Sequence, residues 1–464
     1  MTRLFGVISI VLVLLAVAGS GSQDSTAPEV LWTKTFGTPN APELAKKVRQ
    51  TLDGGYILVG GAVRPRSGHY VYLIKTHPSG NLQWEKTLGD GKSDWGFDVQ
   101  QTSDGGYIIA GADNGSGDDH DDRDFSRSSD VYLIKTDASG NVQWEKKFGG
   151  DRADKALRAQ QTSDGGYIII GVTASFRDGP WDVYLVKTDA SGNLQWQKTF
   201  GTKGEDWGQA VQQTPDGGYI LAGHIQVGEK EIIRPKKDST PFQSHGLERG
   251  KQGEKGIRQR KDSIISPNPN PRFRAEAEKE IWQKKDSIPI FSVYVVRTDS
   301  SGNLIWEKSF GGKENNAKGY AIKIAPDGGY IVAATIGTRG KGDNDFYLLK
   351  VDTKGNMLWE KRFGVPVARE NVWDLDVTVD GGYIPAGETI KGTRGKHDID
   401  VFVVRTDADG NLVWKKVIGE TGTLFNDWAR GVQRTSDGGY ILAGMTTSAN
   451  GNKDAYLIKL AKDR

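Results

Sequence analysis

Val99-Gln100-Gln101-Thr102-Ser103-Asp104-Gly105-Gly106-Tyr107-Ile108-Ile109-Ala110-Gly111 leads, after a loop, into Val131-Tyr132-Leu133-Ile134-Lys135-Thr136-Asp137-Ala138-Ser139-Gly140-Asn141-Val142-Gln143-Trp144-Glu145-Lys146-Lys147-Phe148-Gly149. The Asp-Gly-Gly and Asp-Ala-Ser-Gly-Asn stretches are turn chemistry, because Gly and Asn adopt positive φ at little cost. Around them lie four runs rich in Val, Ile, Tyr and Trp, each of strand length. The stretch 94–149 therefore reads as a four-stranded antiparallel meander. Its second and third strands are apolar on both faces, the pattern of a sheet sandwiched between neighbours.

The unit recurs. DGGY occurs seven times, starting at Asp53, Asp104, Asp164, Asp216, Asp327, Asp380 and Asp437. W-x-K stands in each of the seven units, at Trp32, Trp84, Trp144, Trp196, Trp306, Trp359 and Trp414, and so does a strand-like run of the VYLIKT type. Seven sheets of this kind predict a seven-bladed β-propeller spanning 30–464. The ends sharpen the prediction. Val30–Gly37 is a fourth strand without the preceding three, and Ala455–Leu460 is a third strand without a fourth. The N-terminal strand is thus expected to complete the last blade and remove the open edge of the ring.

Composition agrees with an exported all-β chain. Among 464 residues there are 61 Gly, 13 Trp and no Cys, which excludes disulfides, thiolate metal sites and a cysteine nucleophile. Met1–Ser20 has one early charge, Arg3, then a 15-residue largely apolar run Leu4–Ala18 ending in Ala16-Val17-Ala18, the anatomy of a secretory signal peptide over 1–18. Residues 19–29 form a Gly/Ser-containing stalk; an uncleaved anchor is the alternative reading. The expected location is secreted, cell-surface or periplasmic, with no membrane span after cleavage.

One interval between DGGY motifs is 111 residues long and holds a guest segment, 229–289, between a second strand ending Leu221-Ala222-Gly223 and a third beginning Val293-Tyr294-Val295. It repeats a (Lys/Arg)-Lys-Asp-Ser motif at 236, 260 and 284, carries 15 Lys+Arg against 10 Asp+Glu, and has few apolar residues. Such composition is expected to stay disordered. The net charge of +2 belongs to this insert, whose own +5 leaves −3 elsewhere, so nucleic-acid binding is not expected.

In the meander, the loops joining second to third strands, and one blade to the next, share one end of the ring. They vary in length and content, as at 62–69, 112–129, 172–181, 335–344, 388–399 and 445–453. Binding residues usually sit on such loops. Ten residues before each DGGY Asp stands Glu43, Asp94, Asp154, Asp206, Ala317, Glu370 or Asp427, six carboxylates in seven places, with Trp95, Trp207 and Trp428 directly following and Trp373 three positions beyond Glu370. These ten acids and indoles are expected at the channel mouth. As a binding rim they would offer indole faces to sugars and carboxylates to hydroxyls; as structure they would satisfy local backbone groups and pack between blades. Asp118, Asp119, Asp121 and Asp122 form the densest run of hard-metal ligands, so Ca²⁺ is the one ion an otherwise cofactor-free chain would suit. No catalytic constellation is legible: the six His fall singly, and no nucleophile elbow or phosphate loop occurs.

The set DGGYI-x-x-G and D-x-YL-I-K-T-D-x-x-GN-x-x-W-x-K-x-FG resembles that of a family of uncharacterised prokaryotic extracytoplasmic β-propeller repeat proteins. More distantly, the G-x-x-x-W spacing, as at Gly140/Trp144, is similar to the tryptophan-docking motif of quinoprotein (PQQ-dependent) propellers. That resemblance implies a structural Trp locking adjacent blades, but the quinoprotein enzymes usually have eight blades, and several use a vicinal disulfide this chain cannot form. The expected function is a monomeric binding or scaffolding module for an extracellular glycan or protein ligand at the variable-loop face. The alternatives are an extracytoplasmic enzyme, either a quinoprotein-like oxidoreductase or a carbohydrate-active propeller, and a purely structural surface-layer role.

Overall fold

The computed structural model describes residues 26–463 apart from 39–40, 65–67, 115–127, 177–178, 235–283, 313–314, 339–342, 394–395, 420–425 and 448–450. The signal peptide, most of the stalk, the centre of the insertion and Asp118, Asp119, Asp121 and Asp122 lie outside the described residues. The chain divides into two compact units, one of Met1–Val227 with Phe291–Arg464, the other Gly228–Ile290. Of the second unit the arms 228–234 and 284–290 are described, and both are extended. The strands that bound the insertion run on to Arg234 and begin at Lys284. Among the described residues no helix is long and apolar enough to cross a membrane.

The described strands form seven four-stranded antiparallel sheets. Six blades are consecutive in sequence: blade 1 begins at Glu43, blade 2 at Trp95, blade 3 at Asp154, blade 4 at Asp206, blade 5 at Asn315 and blade 6 at Arg369. Blade 7 takes its first three strands from Trp428–Leu460 and its outermost from Val30–Phe36, which pairs antiparallel with Lys453–Leu460, Lys34 opposite Leu457. The first strand of each blade contacts the first strands of both neighbouring blades, so the seven surround one axis. This is the expected β-propeller, with the expected closure.

Burial follows position in the blade. In blade 2 the first three strands are buried along most of their length, whereas the fourth, Val142–Phe148, is mostly exposed or half-buried. The apolar cores lie between blades: Ile108, Ala110 and Leu133 of blade 2 pack with Tyr167, Ile169 and Val186 of blade 3. A blade covered on both faces by its neighbours needs no large core of its own.

The repeated motif acquires a physical meaning residue by residue. In all seven blades the DGGY aspartate pairs with the buried Lys or Arg of the third strand, Lys135 Nζ to Asp104 Oδ2 at 2.8 Å being typical. Asp104 Oδ1 also accepts from Thr102 Oγ1 at 2.5 Å and Gly106 N at 3.1 Å. The first glycine, Gly105, has φ +83°, and a Cβ on the second, Gly106, would collide with the Thr136 carbonyl oxygen and Lys135 Nζ. The tyrosine then meets a tryptophan from the preceding blade's outermost strand, in all seven places, with ring centroids 5.8–6.2 Å apart. In six of these places the same indole covers a hairpin glycine of positive φ, as Trp84 covers Gly140. Trp414 has no such glycine and instead donates from Nε1 to Asp463 at 2.9 Å.

Candidate functional site

All six carboxylates ten residues before DGGY are buried where an inter-blade loop enters the innermost strand. The backbone N–H groups of Asp94, Asp154, Asp206, Glu370 and Asp427 donate to carbonyls of His69, Ser129, Trp181, Asn344 and Ile399, at the start of the preceding blade's third strand, at 2.6–3.1 Å. Their side chains turn back on the variable loops. Asp94 Oδ2 accepts from Asp90 N and Gly91 N at 2.8 and 3.1 Å. Asp154 Oδ2 accepts from Gly150 N at 2.9 Å and Ser175 Oγ at 2.7 Å, and Asp206 accepts from Gln226 N at 2.9 Å and from Thr202. Glu43 takes Thr38 Oγ1 at 2.7 Å and pairs with Arg64, while Glu370 takes Thr389 Oγ1 at 2.9 Å. These acids are struts inside the loop face, not an exposed ring. The seventh place, Ala317, is buried too.

Burial raises Asp94, Asp206 and Glu370 above the usual carboxylate range. Burial, reinforced by the neighbouring Asp113, pushes Asp94 up to about 6. Burial likewise pushes Glu370 up to about 7. Asp90, Asp94 and Asp113 each bring a carboxylate oxygen within 4.8 Å of the others, the one such acidic group among the described residues and the place where a hard cation could sit. Lys92 and Lys147, however, already pair with Asp90 and Asp113.

The indoles are buried or half-buried and linked by further aromatics that lie elsewhere in the sequence. Trp95 lies 5.0 Å from His69. Trp207 lies between Trp181 at 5.9 Å and His224, stacked at 6.1 Å and 9°. His224 touches Phe291 and Tyr320, and Tyr320 meets Trp373 edge-on at 4.9 Å. Burial and the charge of Lys318 hold His224 well below the usual imidazole range, so it is neutral. Arg430 then spans Trp373 at 4.3 Å and Trp428 at 5.6 Å. An aromatic belt thus joins Trp181, Trp207, Trp373 and Trp428, contributed by blades 3, 4, 6 and 7.

Inside that belt lies a feature that shares only Trp373 with the expected site. Every innermost strand carries a β-bulge at its middle, as shown by a register shift at the same point in all seven blades. The extra residues are Lys46, Phe97, Leu157, Gln209, Tyr320, Trp373 and Arg430, and with Arg158 they line one cavity. A bulge re-aims the residue it adds. Here seven such residues converge and leave room for about one water molecule among them. Lys46 lies over Phe97 at 4.7 Å and over Trp95 at 5.8 Å. One layer on, Lys47 Nζ contacts Asp374 Oδ1 at 2.6 Å, and Arg49 lies 3.7 Å from Asp98 and 3.9 Å from Asp374. The signal for this layer was present in the sequence as variation: seven residues before each DGGY Asp, seven different residue types stand inside an otherwise repetitive strand.

Comparison with known proteins adds little to this geometry. No family model matches the chain. Over 208 residues, 42% of its length, the chain is 25% identical to the regulatory protein FlaEY of Caulobacter vibrioides. It spans about a fifth (21%) of that relative. Among solved structures, a protein of unknown function from Dyadobacter fermentans is similar with a TM-score of 0.48 at 10% identity, over 94% of this chain and 99% of that one. A puromycin hydrolase is similar with a TM-score of 0.48 at 12% identity, over 89% of this chain and 51% of that one.

Proposed function

We propose that this propeller is an exported binding module that holds a glycan or protein ligand on its variable-loop face. One observation carries the reading: the buried carboxylates spend their hydrogen bonds on the loops of that face, so a repeated framework fixes a set of dissimilar loops. Loops held this way bind without the entropic cost of ordering them at the moment of contact. The aromatic belt beneath them supplies rigid apolar surface of the kind that sugar faces and protein anchors use. The local likeness to a protein named as regulatory is in keeping with a binding role.

The test is a thermal-shift screen of the full chain against cell-wall and plant oligosaccharides and envelope proteins, followed by exchange of residues 115–127, within the 112–129 loop, for a Gly-Ser linker. A saturable shift is expected with one ligand class, lost on loop exchange while the ligand-free melting temperature stays within a few degrees. Specific turnover of a bound substrate, or binding indifferent to every loop exchange, overturns the reading.

A further inference from the structure

We propose that the junction of blades 6 and 7 on the turn face, the end of the ring opposite the variable loops, binds a carboxylate group. The DGG turns are joined there by a ladder of hydrogen bonds from blade to blade. The N–H of the residue before the DGG aspartate donates to the side chain that ends the next blade's innermost strand. Leu52 donates to Gln101, Ser103 to Gln161, Ser163 to Gln213 and Ser436 to Gln50, all at 2.7–2.8 Å.

At two further junctions both halves of the pair change together. Pro215 and Pro326 have no N–H to donate, and the strands that follow end in Ile324 and Val377, whose side chains accept nothing. The seventh junction is the mismatch. Val379 keeps its N–H, but the strand that follows ends in Arg434, which is a second donor and cannot accept.

The mismatch leaves a space. Val379, Arg434, Thr435, Ser436 and Gly438 line a cavity of about 160 Å³. Among the described residues the Val379 N–H, the Arg434 guanidinium and the Ser436 hydroxyl have no hydrogen-bond or ion-pair partner. The aspartates beside the cavity are all engaged. Asp376 accepts from Arg434 N at 2.8 Å and pairs with Lys323 at 3.0 Å. Asp380 pairs with Arg405, and Asp437 with Lys459 at 2.9 Å. Asp463 pairs with Arg405 at 3.0 Å and accepts from Trp414 Nε1. Lys462 adds a further cation, since a Cβ on Gly438 would lie 3.6 Å from its own Cβ.

Three donors around one space call for a single acceptor that serves them together. At the matched junctions that acceptor is the planar amide oxygen of Gln. A carboxylate reproduces this oxygen for the Val379 N–H and offers its second oxygen to the guanidinium, whose planar fork suits the pair. The cavity takes a small carboxylate whole, or the acid end of a longer ligand whose stem covers the Val379 side chain, 74% exposed.

The experiment follows the Val379 amide in ¹H–¹⁵N spectra of the full chain labelled with [¹⁵N]valine, the peak being identified by its loss in Val379→Leu. The protein is titrated with sodium acetate, and with sodium chloride and sodium sulfate at matched ionic strength. The expected result is a saturable acetate shift that neither other salt gives, weakened at least tenfold in Kd by Arg434→Met. Butyrate binding tighter than acetate assigns the site to an acid with an alkyl stem; equal affinity assigns it to the carboxylate alone. A further variant, Arg434→Gln, completes the ladder. It is expected to slow solvent exchange of the ligand-free Val379 amide at least tenfold and to abolish the acetate response. No saturable acetate shift at Val379, an equal response to chloride or sulfate, or an Arg434→Gln protein that responds like the unaltered chain overturns the proposal. These titrations read the turn face alone, and the loop exchange above reads the loop face alone.

Discussion

At the scale of single residues, the DGGY motif condenses four separate constraints into four letters, and two of its glycines are needed for different reasons. Gly105 is there for backbone conformation alone, since φ is +83° and nothing lies within 4 Å of where a Cβ would be. Gly106 is there for space, because a Cβ would strike the Thr136 carbonyl oxygen. Gly105→Ala should therefore cost about 1 kcal/mol and Gly106→Ala about 3 kcal/mol, measured by urea unfolding of the two variants side by side. The turn itself was plain in the sequence from Asp-Gly-Gly. Its ion pair was not, because the cation lies 22 to 81 residues away and pairs only once the third strand is folded beside the second.

At the scale of strands, each outer tryptophan is a clasp between blades rather than part of its own sheet's core. Trp144 is only half-buried, yet it covers Gly192 and meets Tyr167 at 5.8 Å, both in the next blade. Trp144→Ala should destabilise the protein by about 3 kcal/mol, and a double-mutant cycle with Tyr167→Ala should show coupling of about 1 kcal/mol. If the two losses simply add, the clasp is not energetic. Removal of Val30–Phe36 should leave the Lys453–Leu460 edge unpaired and produce concentration-dependent aggregation, seen by light scattering. Strand order and closure were legible because turn residues and strand periodicity repeat seven times. The axial layer was not, since a bulge advances the facing of the strand by one residue and breaks the alternation from which inward positions are counted. Asp94 and Asp206 are legible as repeated acids, whereas the loop backbone N–H groups they accept from are visible only in the structure. Lys46, Gln209 and Arg430 do not repeat, so no sequence pattern ties them to one another.

For the molecule as a whole, two sets of carboxylates pull the pH dependence of stability in opposite directions. Burial opposes it, but hydrogen bonds from the third-strand Lys or Arg and the turn hold Asp53, Asp104, Asp164 and Asp380 at about 2. A depressed folded-state value contributes stability above the unfolded value near 4 that is lost as pH falls toward 2. The contribution per pair is modest because each aspartate is more than half exposed. Conversely, burial raises Asp94 and Asp400 to about 6 and Glu370 to about 7, so their contribution is lost as pH rises from 4 through 7. Calorimetric melts from pH 2 to 7 should thus show a maximum between about pH 4 and 6, and Asp94→Asn should flatten the neutral side. The ring closure has a consequence in time as well as in space. Blade 7 joins Lys34 to Leu457, so the first strand made stays unpaired until the last is made. Until then the chain carries the entropy of a loop spanning nearly its whole length. A circular permutant whose new ends fall between blades 3 and 4, with Asp463 linked to Thr26 so that the Trp414–Asp463 contact is kept, turns that longest-range pairing into a local one. It should refold faster by stopped-flow fluorescence at unchanged stability, making the order of the blades in the gene, and not their shape, the slow variable in building the ring.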